Sequence, residues 1–366
     1  MKLKNVIGLM SGTSMDGINA SLVKTNGEIL EKTDYQTILN YSRATTILLK
    51  EYVFNYNKHK YDKDYEHELS NQIITDHNNA IKEIKKLSGI KPDLVGFHGQ
   101  TVFHNPKKNI SVQIGNGYLL SKMSQTKVVS NFRQNDIDNG GEGAPISPIY
   151  HKYLMQKFKF DLPCCFINIG GVSNITYWDG QELIGFDLGP GNGLMDIYCQ
   201  KHLGMLYDNL GEIASKGNPD FYLVDKFLNL AFFKKKFPKS IDRLEFENFI
   251  KKISFKHLNH SDILSTLLEF TVGSIKKGIE ILPFLPIKIV IMGGGQHNKH
   301  LMKKLKSVLT IDIVRANQVG IDGDYVEADM IAYLAMRRLA NIPITFPGTT
   351  GVSFPCIGGK VYNFLN

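Results

Sequence analysis

Cysteine is scarce in this chain, with four among 366 residues. None of the four lies in a Cys-x-x-Cys pair, and Cys164 and Cys165 lie inside an apolar run typical of a buried strand. This spacing gives no support for a zinc site, and it favours buried, reduced thiols over disulfides or metal ligands. We therefore expect free cysteines of the kind found in cytoplasmic proteins.

Long hydrophobic runs are also missing. No stretch of about 18 apolar residues occurs, the length that a helix needs to cross a bilayer. The apolar stretch near the N-terminus stops at Met10 and is followed by Ser-Gly-Thr rather than by a signal-peptide cleavage site. We expect no membrane span, no signal peptide and a cytoplasmic location.

A dense basic patch is absent too, although the net charge is +8. The lysines are scattered, and the densest run, at 234–236, lies beside three phenylalanines. A solvated helix end explains that run as well as a phosphate-binding footprint does. The charge also suits small anionic substrates, so by itself it does not decide the kind of partner. We expect a small-molecule substrate and no nucleic-acid partner.

Length and hydropathy patterning indicate an α/β protein of two domains. A chain of 366 residues can bury two separate cores, and short β-rich runs alternate with amphipathic helical stretches. Strands are predicted at 6–9, 18–23, 93–97 and 127–130, and helices over 41–88, 299–309 and 326–339.

The second half of the chain repeats the pattern of the first half. A strand, a turn of glycine and polar residues and a second strand occupy 6–23, and the same pattern returns over 165–177. A strand that ends in glycine and polar residues is also repeated, at 95–101 and at 289–298. We interpret the repeat as a duplicated domain with a cleft between the copies, and we place the crossing at 135–148.

The turn between the first two predicted strands is dense in glycine and hydroxyl groups. Its sequence, Ser-Gly-Thr-Ser-Met-Asp-Gly, occupies 11–17. Glycine lets the backbone approach a ligand closely, and consecutive backbone N–H groups in such a turn can bind an anion. Asp16 could hold a metal ion, directly or through water. An ordinary tight hairpin explains the same residues, so phosphate binding and a simple turn remain alternatives here.

Asp187 is a second candidate, because it ends a short apolar run just before the turn Gly-Pro-Gly-Asn. A carboxylate fixed in this way can act as a general base, which must approach its proton to about 2.6–3.2 Å. The alternative is that Asp187 caps a helix beginning near Asn192 or binds turn amides. The turn is more elaborate than a cap requires, which favours the catalytic interpretation.

Three further segments carry groups suited to ligands. The glycine triplet at 293–295 lies between a strand and a helix, where the backbone and the helix dipole favour a nucleotide. Arg133 suits a substrate carboxylate, with a surface ion pair to the carboxylate three residues later as the alternative. Glu327 falls in the first turn of a predicted helix, where the dipole alone explains an acidic residue, or it could face a cleft. A lone histidine is more often structural, so His98 and His104 are assigned no chemistry.

These segments together resemble the anhydro-N-acetylmuramic acid kinases, a family of the sugar kinase, Hsp70 and actin superfamily. The resemblance covers nearly the whole chain, and the order of the motifs is specific where each motif alone is not. The motifs are SGTSMDG at 11–17, HGQT at 98–101, FRQNDI at 132–137, GGEGAP at 140–145, NIGGVSNIT at 168–176, FDLGPGN at 186–192, YDNLG at 207–211 and GGG at 293–295.

The resemblance implies an α/β fold of two RNase H-like, actin-like ATPase domains, each a mixed sheet flanked by helices, with an active site in the cleft between them. It predicts domain I at 1–131 with about 342–366, and domain II at 132–341. It also implies a homodimer that recycles cell-wall sugars in the cytoplasm, with ATP and Mg²⁺ as cofactors and an anhydrosugar as substrate.

The resemblance also implies roles for single residues. Asp187 matches the catalytic aspartate of the family, and Asp16 is expected near Mg²⁺. Substrate contacts are expected from Gln100, Arg133, Asp136, Asn174 and Glu327. ATP contacts are expected from Gly12, Thr13, Ser14, Met15, Asp16, Gly17, Ile18, Asn19, Gly170, Gly171, Asn192, Gly293, Gly294 and Gly295.

A few positions depart from the pattern of the family. Leu188 stands where Thr is usual, Ser173 where Ala is usual and Glu142 where Gln is common. The segment 239–243 lacks the usual Thr-Gly after Ser240. None of these changes removes the predicted catalytic aspartate, so they bear on substrate contacts more than on the class of reaction.

The reaction implied by the resemblance is a hydrolytic phosphorylation. Water attacks C1 of a 1,6-anhydro sugar while O6 takes the γ-phosphoryl group of ATP, with Asp187 as the general base for the water. The first alternative is a related kinase acting on another anhydrosugar or on an ordinary hydroxyl, which Asp187 would deprotonate. A more distant alternative is a nucleotide switch of the Hsp70/actin type, which would require a peptide-binding domain or a polymerisation surface.

Overall fold

The computed structural model describes residues 2–12, 15–105, 108–241, 243–253 and 255–365. Thr13 and Ser14, both predicted ATP contacts, lie outside the described residues. The chain forms two compact units, the first of Met1–Tyr153 with Asp324–Asn366 and the second of Leu154–Gly323. Each unit is described by itself below.

Strands and helices alternate along both units. The strands are β1 (Lys4–Ser11), β2 (Gly17–Thr25), β3 (Leu30–Asn40), β4 (Leu94–Asn105), β5 (Ile110–Ile114), β6 (Val128–Ser130), β7 (Cys164–Ile169), β8 (Val172–Trp178), β9 (Leu183–Pro190), β10 (Lys288–Met292), β11 (Asp312–Arg315) and β12 (Lys360–Tyr362). The helices are α1 (Arg43–Phe54), α2 (Tyr56–His59), α3 (Lys63–Ser88), α4 (Gly117–Ser124), α5 (Gln134–Asp138), α6 (Pro148–Lys157), α7 (Gly193–His202), α8 (Phe221–Leu228), α9 (Arg243–Lys252), α10 (His260–Glu280), α11 (Lys299–Val308), α12 (Val326–Leu339) and α13 (Pro347–Thr350).

The two sheets share a five-stranded core of the same topology. Among the described residues, the first unit has a seven-stranded sheet in the order β12-β6-β4-β1-β2-β3, with β5 paired to β4, and the second has five strands in the order β11-β10-β7-β8-β9. In each sheet three strands form an antiparallel meander, and two later strands run parallel to its first strand. The expected α/β fold with duplicated mixed sheets is confirmed, although β3 was not predicted from the sequence.

The hydrophobic pattern explains why each sheet has a buried centre. β10 reads Lys-Ile-Val-Ile-Met, and its four apolar residues are all buried. An uninterrupted apolar run is typical of a parallel strand covered on both faces by helices. Burial of each such side chain stabilises the unit by about 1.5–3 kcal/mol. Helix α10, capped by the Asn259 side chain on Asp262 N, supplies a long buried face to the core of the second unit.

Helix α12 packs on the sheet of the first unit, so the chain returns to that unit at Asp324 and not near 342, the boundary expected from the sequence; the first segment of the unit ends at Tyr153 and not at 131. It lies against β1, β2 and β4, and a Cβ on Gly8 would overlap the Ala328 carbonyl oxygen. A Cβ on Gly96 would lie 2.6 Å from the Ile331 carbonyl oxygen. The fully buried Asp329 accepts a 2.6 Å hydrogen bond from Ser21 Oγ. These strand glycines admit the helix backbone, a requirement that the helix's own sequence pattern does not reveal.

The prediction of free thiols is confirmed, because all four cysteines are free and buried. Burial raises the pKa of the Cys164 thiol to about 12 and that of Cys199 to about 11, which keeps both protonated. Within the residues described above, no helix is long and apolar enough to cross a membrane.

Candidate active site

The second unit brings its glycine-rich segments together at the carboxyl ends of two strands. β7 and β10 are parallel, with Met292 opposite Asn168, so the turns that follow them lie at one edge of the sheet. Gly293 has φ 74°, and a Cβ there would overlap Asn168 Oδ1. A Cβ on Gly295 would overlap the Ile169 side chain. Only glycine allows the triplet to lie this close to the end of β7.

The turn at 170–171 packs against the turn that follows β9. Asn192 N donates to Gly170 O at 2.7 Å, and Gly191 N donates to Gly171 O at 3.0 Å. A Cβ on Gly191 would overlap the Gly170 carbonyl oxygen. A Cβ built on Gly294 would lie 3.7 Å from Asn192 Nδ2, which places the triplet beside the same turn. The predicted ATP contacts of the second unit are therefore neighbours.

Two of the buried side-chain acceptors in this unit that have no partner among the described residues belong to predicted site residues. They are the carboxamide oxygens of Asn192 and Asn174, a predicted ATP contact and a predicted substrate contact. A buried polar atom left unsatisfied costs about 1–3 kcal/mol, so native structures supply a partner such as a ligand or ordered water. The two oxygens fit a site that receives hydrogen-bond donors from bound molecules.

Asp187 is held rigidly on β9. Its backbone N donates to Lys239 O at 2.8 Å, and its Oδ2 accepts from Ile241 N at 2.9 Å. Its flanking residues Phe186 and Leu188 are buried in the core of the unit, so the carboxylate projects to the opposite face of the strand. The side chain is 7 % exposed. These two backbone contacts hold the Asp187 carboxylate in one position.

The cross-strand partner of Asp187 is Asn174. The two residues are opposite each other in the β8–β9 pair, next to an irregularity between Ser173 and Asn174. Side chains directly opposite in an antiparallel pair lie on one face of the sheet. The helix-cap alternative does not describe Asp187, because Asn192 occupies the N-cap position of α7 and the carboxylate binds Ile241 N instead.

Two departures from the family pattern lie in the interior of the second unit. Leu188 is 1 % exposed, and a Cβ on Gly278 of α10 would overlap its side chain. Ser173 is fully buried and donates from Oγ to Pro190 O at 3.1 Å. The Leu188 side chain therefore packs against α10 at Gly278, where any larger residue would overlap it. The Ser173 hydroxyl stabilises the end of β9 through its hydrogen bond to Pro190 O.

The opening turn of the first unit connects β1 and β2, with Met10 paired to Asn19. Met15 adopts φ 59° and is buried, while the Asp16 side chain is exposed. Asp16 O accepts from Tyr41 N at 3.0 Å, which ties the turn to the end of β3. The start of β2 is fixed by a hydrogen bond from Asn19 Nδ2 to Asp324 O at 2.6 Å and by the full burial of the Ile18 side chain.

Gln100, a predicted substrate contact, forms a hydrogen bond to the backbone of the opening turn. Its Nε2 donates to Gly12 O at 3.0 Å and to Thr101 O at 3.3 Å, and its Oε1 accepts from Tyr41 Oη at 3.0 Å. The side chain is 0 % exposed. In this structure the amide therefore positions the backbone of the turn.

His77 fixes the hydroxyl that begins the same turn. Burial lowers the pKa of His77 to about 4, so its ring is neutral at pH 7. Its Nδ1 lies 2.7 Å from Ile73 O and must donate to it, which leaves Nε2 as the acceptor for Ser11 Oγ at 2.8 Å. The contributions of His77 and Tyr41 were missed, because both residues lie in regions whose sequence indicates only secondary structure.

Arg133 is oriented by a neutral histidine. Its Nε and Nη2 donate to His98 Nε2 at 3.2 and 3.1 Å, and its Nη1 donates to Gly143 O at 2.8 Å. His98 Nδ1 faces Gly99 O at 2.9 Å. Burial and the adjacent guanidinium lower the pKa of His98 to about 3, which keeps Nε2 an acceptor. His98, which received no role from the sequence, is thus the orienting partner of Arg133.

Asp136 fixes the loop that carries Arg133. It is 0 % exposed, its Oδ1 accepts from Gly143 N at 2.7 Å, and its Oδ2 accepts from Thr350 Oγ1 at 2.6 Å. Glu142 N binds Thr350 O at 2.8 Å in the same region. The alternative, a surface ion pair between Arg133 and Asp136, is excluded because the Asp136 carboxylate is fully buried. Glu327, by contrast, is half-buried in the first turn of α12.

A cavity of about 270 Å³ opens in the first unit beside the histidine that orients Arg133. Its wall includes His98, Gln113, Asn131 and Tyr362. Amide and imidazole groups combined with an aromatic ring form a surface suited to a polar small molecule. The cavity lies at the carboxyl end of β6, beside Phe97 and His98 in the first half of β4.

Comparison with known proteins identifies the family. The family model for anhydro-N-acetylmuramic acid kinase matches residues 4–364. A protein of that name from Pelagibacter ubique is 38% identical over 375 aligned residues, covering 98% of each chain. One from Zymomonas mobilis is 36% identical, covering 97% of this chain and 99% of its own. The chain belongs to the anhydro-N-acetylmuramic acid kinase family. The predicted resemblance is confirmed, and the protein is a phosphotransferase.

The backbone turns and side chains described above fit ATP and Mg²⁺, the two cofactors expected for the family. The glycine turns and the unpartnered Asn192 oxygen suit a nucleotide. Mg²⁺ is usually bound through one or two carboxylates together with substrate phosphates and water, and Asp16 supplies one exposed carboxylate. No group of three His, Cys, Asp or Glu side chains in the described part of the chain could hold a metal by itself.

Proposed function

We propose that this kinase opens the 1,6-anhydro ring of 1,6-anhydro-N-acetylmuramic acid with water and phosphorylates O6 with the γ-phosphoryl group of ATP. The product is N-acetylmuramic acid 6-phosphate. Family membership supports the class of reaction and the substrate. The observation that carries the mechanism is Asp187, a buried carboxylate held by backbone contacts at both its main chain and its side chain.

Asp187 accepts the proton of the attacking water. The oxygen of that water bonds to C1, the C1–O6 bond breaks, and O6 bonds to the γ-phosphorus as ADP leaves. O6 of the anhydro ring carries no proton, so a base directed at the sugar itself would have nothing to remove. A base that reaches its proton at hydrogen-bond distance contributes about 10²- to 10⁴-fold to the rate.

The residues around the nucleotide act by positioning. We infer that Gly170, Gly171 and the triplet at 293–295 present backbone to ATP, and that the turn at 12–19 presents backbone N–H groups to its phosphates. Asp16 would hold Mg²⁺ directly or through water, and the bound ion would neutralise phosphate charge. Catalysis of phosphoryl transfer depends mainly on such positioning and electrostatic stabilisation.

Arg133 recognises the lactyl carboxylate of the sugar in this proposal. A guanidinium binds a carboxylate through two parallel hydrogen bonds, and His98 fixes the orientation of the guanidinium plane. Gln100 and Asp136, which are both fully buried, act on the sugar site by positioning the opening turn and the Arg133 loop. Asn174, opposite Asp187, and Glu327 remain proposed substrate contacts. A homodimer, a cytoplasmic location and a role in cell-wall sugar recycling are proposed from the family alone.

The proposal is tested by ATP consumption with a panel of sugars. We expect ADP release with 1,6-anhydro-N-acetylmuramic acid and little release with N-acetylmuramic acid, whose O6 is a free hydroxyl. ATP consumption that favours the free hydroxyl would instead support an ordinary sugar kinase, in which Asp187 deprotonates the acceptor.

A further inference from the structure

A second cavity, of about 310 Å³, lies in the second unit between α11 and the end of β11. Its wall carries four cationic side chains, Lys299, Lys303 and Lys306 from α11 and Arg315 from β11. Among the residues that the structure describes, the wall contains no Asp or Glu, and none of the four cations forms an ion pair. A cleft lined by charge of one sign concentrates ions of the opposite sign. The cavity therefore favours an anion.

The arrangement of these cations differs from that of an ordinary solvated helix surface. Lys304, the remaining lysine of α11, binds Glu269 Oε1 of α10 at 2.6 Å. The three lysines of the cavity wall are spaced by four and three residues, so they share a different face of the helix. Arg315 reaches the same cavity from a separate strand. Two elements of the fold thus direct positive charge to one space.

A buried polar side chain lies in the wall of the same cavity. Gln296 is 3 % exposed, and its carboxamide oxygen has no hydrogen-bond partner among the described residues. Buried acceptors of this kind are normally satisfied by ordered water or by a ligand. A hydroxyl group of a bound molecule would supply the missing donor.

The dimensions of the cavity favour a small organic anion over a single inorganic ion. A volume of about 310 Å³ is that of the smaller ligand pockets of proteins. Lys299 and Lys306 are seven residues apart, which corresponds to about 10 Å between their Cα atoms along the helix. A molecule with an anionic group at each end matches a row of this length better than one phosphate does.

The cavity is adjacent to the candidate nucleotide site but does not include it. Gln296 directly follows the glycine triplet at 293–295, and its backbone N donates to Gly293 O at 3.2 Å. None of the predicted ATP contacts belongs to the cavity wall. We therefore expect a ligand of this cavity and the nucleotide to bind at the same time.

We propose that this cavity is a second binding site, which takes a small hydroxylated molecule with two anionic groups, of the class of the sugar bisphosphates. Arg315 binds one phosphate through two parallel hydrogen bonds. The lysines of α11 neutralise the charge of both phosphates, and a hydroxyl group of the sugar donates to Gln296.

Calorimetry tests the proposal on the full chain saturated with Mg²⁺ and a non-hydrolysable ATP analogue, in about 0.15 M salt, where exposed charges are largely screened. The probes are fructose 1,6-bisphosphate, inorganic phosphate and fructose. We expect the bisphosphate to bind saturably with one equivalent per chain, phosphate to bind at least about tenfold more weakly, and fructose to show no binding. Equal affinity for phosphate and the bisphosphate would overturn the assigned class of ligand.

Three variants locate the binding. Arg315→Met and Lys303→Met should each weaken binding of the bisphosphate by about tenfold or more, because each removes charge-assisted hydrogen bonds. Lys276→Met, at an exposed position on α10, makes the same change in net charge and should keep the wild-type affinity within about twofold. Lys303 is also exposed, so Lys303→Met tests the site even if Arg315→Met does not fold.

Three results would overturn the proposal. They are the absence of saturable binding in the wild type, wild-type affinity in Lys303→Met, and binding that occurs only when the ATP analogue is left out. The last result would place the bisphosphate in the nucleotide site. These measurements do not depend on turnover, so failure of the proposed reaction would leave them interpretable.

Discussion

Asp187→Asn is expected to lower kcat by at least about 10²-fold, within the range that a positioned general base contributes. The amide oxygen can still accept from Ile241 N, so the contact that fixes the side chain is kept. The amide cannot take a proton from water at neutral pH. We therefore expect ATP and the sugar to bind with nearly unchanged affinity, as measured by calorimetry, while turnover is lost.

Glu182→Gln is the matched control for this substitution. It also changes a carboxylate to an amide, at an exposed position in the turn before β9. We expect its kcat to equal that of the wild type. If Asp187→Asn retained near-normal kcat, Asp187 would not be the general base, and the mechanism proposed above would fail with it.

Arg133→Met is expected to remove the preference for sugars that carry a lactyl carboxylate. A hydrogen bond to a charged group contributes about 1.5–3 kcal/mol, so the loss of a two-bond contact should lower kcat/KM by roughly 10²-fold for 1,6-anhydro-N-acetylmuramic acid. For 1,6-anhydro-N-acetylglucosamine, which lacks the lactyl group, we expect a change of less than about threefold. The comparison of the two sugars separates carboxylate recognition from a general loss of activity.

His98→Gln provides the companion measurement for Arg133. Glutamine can accept a hydrogen bond but does not reproduce the two contacts that His98 Nε2 makes with the guanidinium. We expect a weakened preference for the carboxylate-bearing sugar, smaller in effect than that of Arg133→Met. An equal loss of activity toward both sugars in Arg133→Met would contradict the assigned role, provided that the variant melts at the wild-type temperature.

The parts of the fold that were predictable are those with a local pattern. Apolar runs that end in glycine turns revealed β1, β2, β7 and β10, and the repeat revealed the shared topology of the two sheets. The long edge strand β3 was missed because it has few buried residues, so its hydrophobic alternation is weak. The position of α12 was missed because it depends on Gly8 and Gly96, which are far from the helix in the sequence.

The candidate site was predictable where one segment carries both the turn and the chemical group. Asp187 and the glycine triplet belong to this kind, since a glycine turn adjacent to each in the chain marked it as a candidate. The contacts that fix Asp187, from Lys239 and Ile241, nevertheless come from a distant segment. Gln100 and Asp136 were predicted as substrate contacts, yet both are fully buried and bonded to backbone or a hydroxyl. Their partners, such as Gly12 and Thr350, come from distant segments, which a one-dimensional pattern does not bring together.

The residues that orient the candidate catalytic and binding groups were not found from the sequence. His98 and His77 act through contacts with residues of other segments, and no spacing rule marks them. A lone histidine in a sequence is more often structural. The distinction between a residue that touches the substrate and one that positions it therefore required the structure.

The most direct test of the proposed reaction is turnover in ¹⁸O-labelled water, with the product analysed by mass spectrometry and ¹³C NMR. We expect one ¹⁸O atom on C1 of N-acetylmuramic acid 6-phosphate and unlabelled oxygen in the C6–O–P linkage. The label should be measured at early times, against a control in which preformed product is incubated in the same water. A product whose C1 oxygen carries no label above that control would contradict attack by water at C1, and with it the role proposed for Asp187.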